Sequence, residues 1–73
     1  MDRDRMLKRL PKSHPVLCEL NIDCIDLYQF ECLSENHPET NIMGQDSAEN
    51  GRVRVFVACA SEDVAKLLDN AWS

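Results

Sequence analysis

Apolar and polar positions along the chain change period several times, and each change predicts an element. From Val16 the residues alternate. Val16, Cys18, Leu20 and Ile22 fall on one side; Leu17, Glu19, Asn21 and Asp23 fall on the other. Period two marks a strand with one buried face. Residues 52–60, RVRVFVACA, alternate more clearly still. Val53, Val55, Val57 and Cys59 make one face, and Arg54, Phe56 and Ala58 the other. Just before them, Asn50-Gly51 predicts a hairpin, because both central positions of that turn need positive φ. A further strand through about 41–48 would pair with the 52–60 strand across that turn.

After residue 60 the period becomes helical. Val64, Leu67, Leu68, Ala71 and Trp72 recur at i, i+3, i+4, i+7 and i+8, which is an apolar helical stripe. Ser61 stands where an N-cap belongs, with Glu62 and Asp63 in the first turn. On this pattern Leu67 and Leu68 are both core residues. Residues 24–33, CIDLYQFECL, are ambiguous. Strand parity puts Cys24, Asp26, Tyr28, Phe30 and Cys32 together, whereas helical spacing aligns Ile22, Ile25, Gln29 and Leu33 with a polar intruder. The Tyr, Phe, Ile and Cys content favours strand over about 27–33. At the other end, residues 2–10 predict a short helix with Asp4 near its start, Lys8 and Arg9 near its end, and Met6, Leu7 and Leu10 on one side. Pro11 and Pro15 bracket an extended linker.

The fold class that emerges is α+β. A small antiparallel sheet of three to four strands carries a C-terminal helix packed on one face, with a short N-terminal helix or tail beside it. Residues 1–15 form a basic N-terminal segment, mobile unless something holds it, and residues 16–73 a single α+β domain. The length of 73 residues allows one small domain, which buries only about 60% of its chain surface. No apolar run approaches the roughly 20 residues a membrane helix needs, and MDRDRMLKRL has no apolar segment of a secretory signal. A cytoplasmic location is the expectation.

The net charge of −5 hides a segregation. Residues 1–12 hold Arg3, Arg5, Lys8, Arg9 and Lys12 against two acids, a net of +3. Residues 13–51 hold no Lys or Arg and eight acids: Glu19, Asp23, Asp26, Glu31, Glu35, Glu39, Asp46 and Glu49. Residues 52–73 balance. Such asymmetry points to charged partners. The basic head suits phosphates or an acidic partner, but the acidic remainder repels a polyanion and argues against independent nucleic-acid binding. Mimicry of a nucleic acid by the acidic middle is weaker, since its eight acids spread over thirty-nine residues.

Chemistry is sparse. Cys18, Cys24, Cys32 and Cys59 form no C-x-x-C, and each stands beside apolar residues, which predicts free, buried thiols. His14 and His37 fit no standard metal spacing with them. The two glycines, Gly44 and Gly51, rule out a phosphate-cradling loop. The expectation is a non-enzymatic protein without cofactor or metal, with no catalytic residues, that works by binding another protein. Its contact residues would be Glu19, Asp23, Asp26, Tyr28, Glu31, Arg54 and Phe56, the last facing outward opposite the valines.

A Met-initiated acidic chain of this size, with the ends MDRDRMLKRLPK and VRVFVACASEDVAKLLDNAWS, resembles the small RNA polymerase-binding inhibitors and antiterminators of Xanthomonas phages. The resemblance implies a phage protein at work in a bacterial host. It would be a monomer bound to the N-terminal part of the polymerase β′ subunit, working with the elongation factor NusA. It would inhibit promoter initiation and promote antitermination, with nascent RNA touched only inside the complex. The alternative is a small acidic adaptor of some other intracellular protein.

Overall fold

The computed structural model describes residues 3–47 and 49–72. Its elements run α1 (Arg3–Arg9), β1 (Val16–Asp23), a single 3-10 turn (Cys24–Asp26), α2 (Leu27–Glu35), β2 (Thr40–Ser47), β3 (Arg52–Cys59) and α3 (Glu62–Trp72). The three strands form one antiparallel sheet in the order β1-β3-β2. The α+β architecture is therefore as the sequence predicts, with three strands and the C-terminal helix on the sheet.

The valine-rich strand takes the centre because it alone can be buried on both faces. Cys18, Leu20 and Ile22 of β1 stand opposite Val57, Val55 and Val53 of β3. These side chains, with Cys59, Phe30 and Val64, make one continuous core. β2 and β3 join through the expected turn. Asn50 and Gly51 have φ of 62° and 74°, and the Arg52 amide donates to the Glu49 carbonyl. A Cβ at Gly51 would meet nothing within 4 Å, so its backbone conformation, not crowding, calls for glycine.

Register shifts once in β2, between Ile42 and Gly44. Met43 is the extra residue of this bulge, and the shift reverses the side-chain parity beyond it. Asp46 consequently lies directly opposite Arg54, and Arg54 Nη2 donates to Asp46 Oδ2 at 2.9 Å.

The strand expected at 27–33 is instead α2, entered through the 3-10 turn. Tertiary packing overrides the local β-preference of Tyr28 and Phe30. In a helix only Phe30 and Ser34 of this segment need be buried, and they are. Phe30 then meets Trp72 of α3. The Ser34 and Thr40 hydroxyls, 3.1 Å apart and buried, tie the end of α2 to the start of β2.

α3 begins as predicted, with the Val64 amide donating to Ser61 Oγ at 3.3 Å. Its apolar stripe is only partly used by the core. Val64 is buried, and Ala65, Leu68 and Trp72 pack against the core. Leu67 is 69% exposed and Ala71 is exposed too. The helix lies mainly along β1 and α2 along β2, so the flank of α3 that faces α2 is left uncovered.

The opposite face of the sheet corrects another expectation. Phe56, expected to face outward as a contact residue, is only 2% exposed, and Ala58 is buried beside it in sequence. The Arg54 guanidinium stands over the Phe56 ring, 5.4 Å from its centroid. α1 meets the sheet on this side, where Arg3 pairs with Glu19 at 3.4 Å. The predicted N-terminal helix is thus present over Arg3–Arg9. Of its expected apolar side, Met6 is buried, Leu10 half-buried and Leu7 exposed.

The linker after α1 turns at Pro11, whose carbonyl accepts from the His14 amide. His14 Nε2 donates to the Pro38 carbonyl at 2.9 Å, and Nδ1 lies 2.7 Å from the Ser13 hydroxyl. A carbonyl only accepts, so this contact fixes the proton on Nε2.

Candidate functional site

Three surfaces carry the candidate residues. The first is α1 with the linker after it. Arg3, Arg5, Lys8, Arg9 and Lys12 are all exposed. Arg3 is paired with Glu19; among the described residues, the other four cations make no ion pair with an acid. A seven-residue helix with two cations in its last turn is favoured by the helix dipole and leaves its charge in solvent.

The second is the charged strip under α1. Glu19 accepts from both Arg3 and Arg54, and Arg54 also holds Asp46. The Arg54 guanidinium is raised above its usual range, first by its hydrogen bond to Asp46. Its Nε is buried and has no hydrogen-bond partner among the described residues. Glu19 and Arg54, two of the expected contact residues, are therefore engaged with each other and close the sheet face over Phe56. Asp23 pairs with Arg52 at 3.6 Å, at the end of the β1–β3 ladder.

The third surface lies on the other side of the molecule, on α2 and α3. Asp26, Tyr28 and Glu31 belong to it. Tyr28 is 78% exposed and Ile25, in the 3-10 turn, 89%. Glu31 accepts a short hydrogen bond from Gln45 of β2 at 2.6 Å. The Tyr28 hydroxyl is raised in pKa, chiefly through its hydrogen bond to Cys32. Between α2 and α3 runs a mainly apolar groove of about 390 Å³, floored by Phe30, Trp72 and Val64 and walled by Leu33 and Leu67. His37 and Glu39 stand at its lip. On the β2 side of α2 lies a more polar depression lined by Glu31, Glu35, Asn41 and Gln45.

The structure thus splits the expected contact residues between two faces. It also adds a groove that strand parity at 27–33 concealed. The signal for it was present in the stripe of α3, which carries more apolar residues than one sheet face can cover.

The four thiols are free. Cys18 and Cys59 are buried as expected, whereas Cys24 is exposed and Cys32 half-buried, because their segment is a helical turn on the surface. Burial pushes the Cys59 thiol up to about 11, with Cys18 adding to the rise. Burial also raises Cys18, with Asp69 and Glu19 contributing. Raised thiols are protonated at neutral pH and poor nucleophiles. Among the described residues no cluster of His, Cys, Asp or Glu could hold a metal ion, and no helix is long and apolar enough to cross a membrane.

Comparison with protein-family models, with curated proteins and with solved structures finds no match to this chain.

Proposed function

We propose that the chain is a non-enzymatic regulator that works by docking on a larger protein, and that its target is bacterial RNA polymerase. The observation that carries the docking reading is the segregation of exposed charge. Four exposed cations of α1 and its linker make no ion pair among the described residues, while α2 and its flanking turns carry the half-buried Asp26 and Glu31 and the exposed Glu35 and Glu39 with no Lys or Arg among them. Opposite charges held on separate surfaces steer a molecule into one orientation on a partner with the complementary pattern. The polymerase is named by the resemblance of the chain's two ends. A polymerase carries basic protein surface next to an exiting polyanion, and the two signs of this chain suit that neighbourhood. The action would be steric: the body occupies the β′ N-terminal part beside NusA, and α1 approaches the nascent RNA. Initiation is then blocked and termination suppressed without bond chemistry.

Capture from a bacterial lysate on the immobilised chain tests the reading. Recovery of β′ is expected, with a smaller yield for the Arg3→Ala, Arg5→Ala, Lys8→Ala, Arg9→Ala variant. Capture of a different protein and no polymerase subunit would favour an adaptor of another system.

A further inference from the structure

We propose that the groove between α2 and α3 receives an amphipathic helix of another protein, with large apolar side chains on one face and Lys or Arg flanking them. The inference rests on the reading of the chain as a docking protein, and places an apolar anchor site next to the acids of α2 and its flanking turns that the docking reading invokes.

Among the described residues, Ile25, Tyr28, Leu33 and Leu67 are four of the five exposed large apolar ones, and all belong to α2, its entry turn or α3. Leu33 and Leu67, 54% and 69% exposed, face each other as the groove's walls. Ile25 and Tyr28 lie outside the groove. Scattered exposed leucines need no explanation, but two that wall one concave surface floored by Phe30, Val64 and Trp72 mark a binding site.

The walls of the groove set the form of its occupant. An extended peptide gains affinity from main-chain hydrogen bonds to a sheet edge. The walls of this groove are helices, whose amides and carbonyls are bonded within each helix. Recognition there has to come from side chains packing between side chains, which is the helix-in-groove mode.

The rim sets the charge of the occupant. Among the described residues, no Lys or Arg lines the groove and Glu39 is its one carboxylate, while Asp63 stands one turn before Leu67 on the same face of α3. On α3, Lys66 is the single cation against Glu62, Asp63 and Asp69. A cationic helix is attracted to this rim and an acidic one repelled. The chain's own cationic helix is no occupant, since Arg3 ties α1 to Glu19 on the opposite face of the sheet.

Trp72, the sole tryptophan, lies in the groove and supplies the readout. The probe is a synthetic 17-residue peptide of Leu and Lys in helical 3-4 spacing, compared with its Leu and Glu counterpart. Binding is followed by Trp72 emission and by anisotropy of the labelled peptide, on the wild type, Leu67→Ala, Leu67→Glu and Leu33→Glu. The expected result is saturable binding of the Lys peptide with a blue shift of Trp72. Roughly tenfold or weaker binding is expected for each Glu variant, as for loss of an apolar anchor, and an intermediate loss for Leu67→Ala. Mere attraction between opposite charges predicts the reverse, since each Glu variant adds an acid. Equal or tighter binding by the Glu variants overturns the proposal. So does equal binding of the acidic peptide, absence of binding, or sedimentation showing the groove filled by a second copy of the chain. Polymerase capture by the same variants separates the two readings: peptide binding that fails while capture persists sinks the groove alone.

Discussion

The ring of Phe30 meets the indole of Trp72 edge-on, with centroids 5.1 Å apart and an interplanar angle of 77°. This pair is where α2 and α3 meet, and it does two jobs. It holds α2 in place as a helix, and it floors the groove between them. Such edge-to-face pairs add about 0.5–1.5 kcal/mol to the area they bury. Phe30→Ala is expected to cost about 3–5 kcal/mol. A domain of this length has in total roughly 4–11 kcal/mol. Urea unfolding followed by far-UV circular dichroism should therefore show a markedly lower midpoint for the variant, with the folded baseline lost altogether only where the wild type stands at the low end of that range.

Neighbouring leucines on α3 should behave oppositely. Leu68 packs against the core and Leu67 does not. Leu68→Ala is expected to destabilise by about 2–3 kcal/mol. Leu67→Ala should change stability by no more than about 0.5 kcal/mol, like other surface substitutions. Equal losses in urea unfolding would mean that Leu67 is packed and that the groove has one wall fewer.

The bulge at Met43 has a consequence for the charged strip. It sets Asp46 opposite Arg54, so Asp46→Asn removes a charged partner at 2.9 Å from a guanidinium that also faces Glu19 and Phe56. The thermal midpoint of the variant should fall. The difference from wild type should shrink in 1 M salt, because exposed pairs are screened. A difference that persists unchanged in salt would show that packing of the Arg54 stem, not charge, matters there.

Thiol chemistry separates the cysteines in pairs. A disulfide-exchange reagent at pH 8 should modify Cys24 quickly and Cys32 more slowly, and leave Cys18 and Cys59 untouched until the chain unfolds. The raised Cys59 thiol also makes stability depend on pH. Its folded pKa lies near 11, above the ordinary 9.0. The folded state therefore holds the proton more tightly than the unfolded one. The stabilisation is complete below pH 9 and is lost as pH rises through about 11. Urea midpoints should decline over that window, and by less in Cys59→Ala.

Much of the fold is legible locally. Alternation sets β1 and β3, Asn50-Gly51 sets the turn between β2 and β3, and Ser61 with Glu62 and Asp63 sets the start of α3. What is not legible depends on partners distant in sequence. Tyr28 and Phe30 read as strand by preference, and only the meeting of Phe30 with Trp72, over forty residues on, makes α2 a helix. Phe56 reads as outward because nothing local reveals that Arg54 and α1 close over that face. The exposed cations of α1 were legible outright, since charge density needs no tertiary information. The groove was half-visible, as a stripe on α3 wider than the sheet beneath it.

The central claim is docking on bacterial RNA polymerase, and direct titration tests it most plainly. The chain, labelled at the exposed Cys24 in a Cys32→Ser background, is titrated with purified polymerase and followed by anisotropy. The account predicts saturable binding that weakens with added salt, and that weakens roughly tenfold or more when Arg3, Arg5, Lys8 and Arg9 become Ala. Absence of saturable binding at low salt would contradict it.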